Sequence, residues 1–238
     1  MSGTPFRGTG ALVNVITVDR ENVADFENWY AFEHFLDRVD LPGFIRGRRY
    51  VGADVGETKS VPVFSIYETE TVDTLTGETY LAALDRPTPW TKRAFPYFTS
   101  NVRSVCRLVA SVGVGTSATI VVVELRPDSD EVEPTIVHLE AILDGLVSQY
   151  RILAGSVLVL DPVATSAKDS TAEGRVAAAS AGELAPAVPP ARWYVVLDVH
   201  ASLDIARAAA DLEHVLDVGP WAVRSATLYT LVSERLSA

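Results

Sequence analysis

One order of elements, strand–helix–strand–strand–helix–strand, can be read twice along this chain of 238 residues, at a spacing of about 110 residues. In the first pass Ala11–Val18 (ALVNVITV) is β-branched and apolar, as a strand is. Asn22–Val39 has helical spacing, and Phe44–Val51 and Val61–Tyr67 are strands. Val72–Leu84 is a second helix, Trp90–Phe98 an aromatic connection with one short helical turn, and Asn101–Val112 a fourth strand. In the second pass the strands are Ala118–Leu125, Tyr150–Leu160, Trp193–Val199 and Val223–Leu231, and the helices are Thr135–Leu146 and Ser202–Leu216. Residues 1–9 read as a loose end. Residues 164–190, rich in Ala, Ser, Gly and Pro and without an aromatic, read as a flexible loop.

A single β-α-β-β-α-β unit is the ferredoxin-like arrangement, an antiparallel sheet with both helices on one face. Its other face also needs cover, and runs such as VVVEL and WYVVLDV are apolar on both strand faces. The fold expected is therefore α+β. Two ferredoxin-like units, residues 10–113 and 117–238, pack sheet to sheet as one pseudo-dimeric α/β barrel. The alternative is two independent units, each paired with another chain.

The densest stretch is Asn22–Tyr50. Asp19 or Asn22 is expected to cap its helix, with acids at Glu21, Asp25 and Glu27 near the positive end of the dipole. Trp29, Phe32, Phe35, Leu36 and Val39 form the expected apolar stripe, with Tyr30, Glu33, His34 and Asp37 off it. Leu41-Pro42-Gly43 ends the helix, because proline pushes the preceding residue out of the helical region. In the strand that follows, Arg46 and Arg48 share one face and Arg49 takes the other.

Composition narrows the function classes. A formal net charge of −11 and a pI near 4.8 argue against binding nucleic acid or anionic lipid. No apolar run is long enough to span a bilayer, and the first 30 residues lack a signal peptide's apolar core, so a cytoplasmic protein is expected. Cys106 is the only cysteine, in an apolar strand, so neither a disulfide framework nor a cysteine zinc site forms within one chain. No histidine spacing matches a zinc helix motif, the GVGTSA run at Gly115 precedes no helix, and no serine sits in Gly-x-Ser-x-Gly.

Trp29-Tyr30, Glu33-His34, Leu41-Pro42-Gly43-Phe44 and Arg48-Arg49-Tyr50 together resemble the dimeric α/β-barrel superfamily, in particular its EthD-like and related uncharacterised branches. The resemblance covers about residues 10–110 and continues as topology alone over residues 118–238. It implies a tandem repeat of the barrel half. It also places His34 near a cleft between helix and sheet. That superfamily includes cofactor-free monooxygenases, polyketide cyclases, lactone isomerases and haem enzymes, so the fold does not choose the reaction.

His34 is the candidate acid/base, because imidazole titrates near neutral pH. The bland alternative is a histidine bonding the turn after its helix. Glu33 either orients its neighbours or pairs with Arg48 or Arg49. Tyr30, Glu33, Arg49, Tyr67 and Trp90 are the candidate ligand-binding residues, since all eight phenylalanines and most tyrosines precede residue 100. The leading expectation is a cofactor-independent enzyme moving a proton on a small, mostly apolar, aromatic or polyketide-like substrate. Its rival is a non-catalytic binding or assembly module, with or without further pairing of chains. A haem enzyme, using a histidine such as His214, is the third reading, and haem is not expected.

Overall fold

The computed structural model describes residues 5–52, 58–128, 132–149, 151–181, 191–200, 214, 216–217 and 219–237. Eight strands form one closed barrel: β1 (Gly10–Asp19), β2 (Phe44–Gly52), β3 (Ser60–Thr69), β4 (Phe98–Gly113), β5 (Thr119–Pro127), β6 (Ala154–Leu160), β7 (Trp193–Asp198) and β8 (Trp221–Leu236). Around the barrel the order is β1-β3-β2-β8-β5-β7-β6-β4, and every neighbouring pair is antiparallel. The pairs β2–β8 and β4–β6 join the N-terminal and C-terminal strands edge to edge. Closure within one chain leaves no free sheet edge, so neither half needs a second chain to complete its sheet.

Period-two alternation explains the two-sided apolar runs. Ala11, Val13, Phe64, Ile66, Val122, Leu158, Tyr194 and Val196 fill the barrel. Their sequence neighbours Leu12, Val63 and Tyr67 pack outward with Trp29 and Phe35, while Val121, Val123, Val195 and Leu197 pack outward with Leu139 and Leu143. β1, β3, β5, β6 and β7 are thus buried on both faces over most of their length, at roughly 1.5–3 kcal/mol per large apolar side chain, while β8 is largely exposed.

The first helical stretch is α1 (Val23–Trp29), a π-helical turn (Tyr30–His34) and α2 (Phe35–Val39). The Phe35 amide donates to the Tyr30 carbonyl five residues back, so this turn holds one residue more than an α-helical turn. The extra residue shifts the stripe. Phe26, Trp29, Tyr30, Phe35, Arg38 and Val39 are buried, and Phe32 is 71% exposed. This corrects the expected stripe at Phe32 and brings Tyr30 onto the buried face. Neither Asp19 nor Asn22 caps the helix with its side chain; a 3-10 turn at Arg20–Asn22 leads into it instead. Gly43 ends the stretch with φ +84°, a left-handed conformation that glycine adopts without strain. At Gly47 of β2 a Cβ would lie 2.8 Å from Phe35 and Val39, so the bare backbone sets how closely α2 sits on the sheet.

After β3 come a 3-10 turn (Val72–Leu75), α3 (Glu78–Leu84) and α4 (Pro89–Ala94). In the second half α5 (Val132–Ser148) covers β4 and β6. The expected flexible loop at 164–190 is corrected over its first two thirds. α6 (Pro162–Ser166), a 3-10 turn (Ala167–Ser170) and α7 (Ala172–Ala181) occupy it; residues 182–190 lie outside the described residues. Asp161 caps α6 by accepting from the Ala164 amide at 2.9 Å, and Asp85 accepts from the Ala172 amide at 2.8 Å. This strap crosses onto the N-terminal helices. Alanine richness, read as looseness, is here high helix propensity with close packing. The loose end is also corrected from residue 5 onward: Phe6 is buried in the barrel, and the Arg7 amide donates to Glu68 at 2.7 Å. Most of the expected Ser202–Leu216 helix lies outside the described residues.

Candidate functional site

A cavity of about 30 Å³ lies under the π-helical turn, between the outer faces of β1 and β4 and the strap. Trp29, Phe95 and Phe98 supply its apolar wall. His34, Arg38, Arg103, Lys168 and Glu173 bring titratable groups to it, with Asn14, Tyr30 and Tyr80 beside them. The strap therefore contributes two of the charged groups, from a part of the chain far from the others in sequence.

The His34 ring stacks on Trp29 at 4.4 Å between centroids and lies 5.1 Å from the Tyr30 ring. Its Nδ1 is buried and has no hydrogen-bond partner. Burial, then the positive charges of Arg38 and Lys168, hold the imidazole well below its usual value near 6.5, so it is neutral at neutral pH. Burial and Arg103 lower the Lys168 ammonium to about 8. Arg38 pairs with Glu173, both almost fully buried. Arg103 donates to the Thr165 carbonyl at 3.0 Å and to the Tyr80 hydroxyl at 3.3 Å, tying β4 to the strap.

The structure brings only His34 and Tyr30 of the expected site residues to this cavity. Tyr67 lies behind Tyr30 and donates to its hydroxyl at 2.8 Å. Burial raises both phenols. Arg49 sits over the Tyr30 ring, 5.3 Å from its centroid, and is held by both carboxylate oxygens of Glu27. Glu33 pairs with neither Arg48 nor Arg49: it accepts from the hydroxyls of Thr88 and, at 3.4 Å, Thr91, anchoring α4. Trp90 is half-buried outside the cavity, donating to Asp25 at 3.3 Å. Sequence reasoning missed Arg38, Arg103, Lys168 and Glu173. Arg38 gave a signal, since it falls on the buried face once the π turn is counted; Lys168 and Glu173 gave none, because pairing across the strap is tertiary.

Arg46 and Arg48 point into the barrel, where Glu68 is fully buried. Glu68 accepts from Arg46 at 2.6 and 2.9 Å and from Arg48 at 2.9 Å. Arg48 also donates to the Tyr50 hydroxyl at 3.0 Å. This network spends the two arginines on the barrel interior, away from the His34 cavity. Among the described residues no group of three or more His, Cys, Asp or Glu is placed to hold a metal ion, and no helix is long and apolar enough to cross a membrane.

No family model matches the chain, and no curated protein does. Solved structures do match in fold. An anthrone oxidase-like protein aligns with a TM-score of 0.56 at 13% identity, covering 98% of this chain and 95% of that one. A putative monooxygenase from Lactobacillus acidophilus NCFM aligns at 0.51 and 7% identity, covering 97% of each. A heme-binding protein from Thermus thermophilus aligns at 0.47 and 10%, covering 98% and 94%. At these identities the likeness is one of fold: this chain is a closed eight-stranded barrel with helices outside, an α+β barrel as those structures are.

The third of these corrects the expectation of a chain that uses no cofactor. A protein matched in fold is named for binding haem, so the absence of a cofactor does not follow from the architecture. The described residues of this chain do not fit that group, however. The cavity beside His34 has room for about one water molecule. Under α5 the corresponding layer is filled by Leu139, Leu143, Val195, Leu197 and Trp221.

Proposed function

We propose that this chain is an enzyme, built as two ferredoxin-like halves in tandem, that moves a proton on a small, mostly apolar substrate of aromatic or polyketide-like character. His34 is its acid/base. The observation that carries this reading is the buried, unpartnered Nδ1 of His34 on the wall of a cavity lined by Trp29 and Tyr30. A neutral imidazole there takes a proton from an acidic C–H or O–H of the substrate. The bonding pair stays on the substrate as an enolate or phenolate, and Arg38 and Lys168 offset the charge that develops. Tyr67 and Ser65 both hydrogen-bond the Tyr30 hydroxyl and hold that ring in place on the cavity wall. Arg49 and Glu27 position the Tyr30 ring. Glu33 and Trp90, expected to bind ligand, act here on the framework instead.

The cavity as described is smaller than an aromatic ring, so substrate entry requires the strap to move. The small size is also what favours the rival, a binding or assembly module without chemistry. One solved structure of this fold is named for anthrone oxidation, which makes an anthrone a reasonable probe: its methylene is acidic and its exchange is visible. Deuterium exchange at that methylene, followed by NMR, is expected to be accelerated by the protein and slowed at least about 100-fold by His34→Gln. Equal exchange with both proteins, each folded by circular dichroism, removes His34 from the chemistry.

A further inference from the structure

Part of the positive charge on this acidic chain lines three neighbouring spaces. Outside the His34 cavity lies a depression of about 210 Å³ between Asp37, Arg38, Arg86 and Thr88. It shares Arg86 and Pro87 with a groove of about 440 Å³ against α7, lined by Lys92, Arg175 and Val176. Arg38 lines both the inner cavity and the first depression. Six of the chain's 20 lysines and arginines line these three spaces (Arg38, Arg86, Lys92, Arg103, Lys168 and Arg175), against three acids, Asp37, Asp85 and Glu173. The chain as a whole carries −11. The sign of the local charge is therefore opposite to that of the rest of the molecule, which is the arrangement that concentrates anions at a cleft.

Two of the three acids are already committed. Asp85 accepts the Ala172 amide, and Glu173 neutralises Arg38. On the inner wall this leaves Lys168 and Arg103, which donates to a carbonyl and a phenol. Both are half-buried and neither is in a described ion pair, so a bound anion offsets the repulsion between them. The 440 Å³ groove also falls in the size range of small-molecule sites, and Val176, Ala179 and Pro87 give it apolar wall.

We infer that the substrate is an organic monoanion, an aromatic carboxylate or an acidic phenol. It enters along the Arg86–Arg175 groove and places its charged oxygen among Arg38, Arg103 and Lys168. This rests on the reading of the His34 cavity as the reacting site, and it adds the substrate's charge and its direction of entry. Glu173 is the group the anion competes with, since both seek Arg38. The groups facing Lys168 are Arg103 and Arg38 as cations, Glu173 and Asp169 as acids, and His34 across the cavity. The lowering of Lys168 to about 8 follows from burial beside Arg103 and gives the site its own titration.

The test uses the intact protein, with 2-naphthoate and its methyl ester as probes and quenching of tryptophan fluorescence as the readout. Trp29 reports from the cavity wall. The acid is expected to bind at least about ten-fold more tightly than the ester, and that preference is expected to fall as the pH rises through about 8. Lys168→Gln is expected to bring the two within about two-fold and to abolish the fall above pH 8, and Glu173→Gln to tighten the acid alone. A nitrophenol, which is ionised below about pH 8 while Lys168 still carries its charge, distinguishes a phenolate site from a carboxylate site. Equal affinity for acid and ester, a preference unchanged in Lys168→Gln, or no binding of either at about 1 mM would overturn the inference. His34→Gln separates the two claims: it is expected to keep the acid preference while losing proton exchange. Loss of the preference with exchange intact leaves the acid/base reading standing without the anion.

Discussion

Arg38 and Glu173, 135 residues apart in the chain, form an ion pair in which each side chain is only 6% exposed. It is the one described ion pair that fastens the strap to the N-terminal helices, and it stands where the outer depression meets the His34 cavity. A buried pair of this kind gains little over two well-packed apolar residues, but removing one partner strands a charge. Arg38→Ala or Glu173→Ala alone is expected to destabilise the chain by about 3–5 kcal/mol in urea unfolding, and Arg38→Met with Glu173→Leu by much less. Additive losses in the double variant would show that the pair is solvated in solution, and with it the strap.

His34 makes stability depend on pH with a definite sign. Burial first, then Arg38 and Lys168, place its folded value well below 6.5. Below pH 6.5 the unfolded chain therefore binds more protons at this site than the folded chain. The His34 contribution is level above about pH 6.5. Stability is lost as pH falls from there towards the folded value, by up to about 1.4 kcal/mol per pH unit. Urea unfolding at about pH 7 and pH 5 is expected to show a larger loss for the parent chain than for His34→Gln. The same shift keeps the imidazole in its basic form, so proton exchange is expected to hold level from neutral pH to below 6.5. A rate that halves near pH 6.5 would mean that His34 titrates as if in water.

Much of the barrel was legible because period-two alternation and the turn residues are local. Ala11–Val18 and Phe44–Val51 are strands within a residue or two of their ends, and Arg46 and Arg48 do share a face opposite to Arg49. What was not legible depended on distant partners. The ring of strands closes through β2–β8 and β4–β6, pairs that no local pattern announces. Residues 164–181 lacked aromatics and so looked like a linker, yet their alanines make short helices that need only a surface to lie on. His34 was singled out because imidazole titrates near neutral pH and because the resemblance placed it near a cleft. Lys168 was not, because a lysine in an alanine-rich stretch reads as a solvated charge until the fold shows what it faces.

Arg49 is 1% exposed, grips Glu27 with two nitrogens and lies over Tyr30. A planar fork makes both contacts at once; an ammonium makes only one of them well. Arg49→Lys is expected to cost about 1–3 kcal/mol, although the charge is kept, because one oxygen of Glu27 loses its partner and the ring of Tyr30 loses its cover. Urea unfolding at neutral pH measures it. If Tyr30 is held for catalysis by this contact, proton exchange falls further than the remaining folded fraction explains. A variant as stable and as active as the parent would reduce Arg49 to a filler.

The π-helical turn makes a prediction that an ordinary helix would reverse. In a regular helix entered at Trp29, Phe32 sits one turn on and shares the buried face. In the structure the Phe35 amide reaches back five residues to Tyr30, Phe32 turns to solvent at 71% exposure, and Phe35 takes the inward place against Tyr30 and Tyr67. Phe32→Ala is therefore expected to change stability by no more than about 0.5 kcal/mol, since it removes little buried surface. Phe35→Ala is expected to cost about 3–5 kcal/mol, because it leaves a cavity between the helix and Gly47 of β2. The pair also probes the site. Phe35 lies next to His34 in sequence and packs on the same ring of Tyr30, so its loss is expected to loosen the cavity and raise the His34 value towards 6.5, visible as a histidine titration by NMR. A large loss for Phe32→Ala as well as for Phe35→Ala would mean that the helix is wound regularly. His34 would then face a different surface, and the cavity could not be its site.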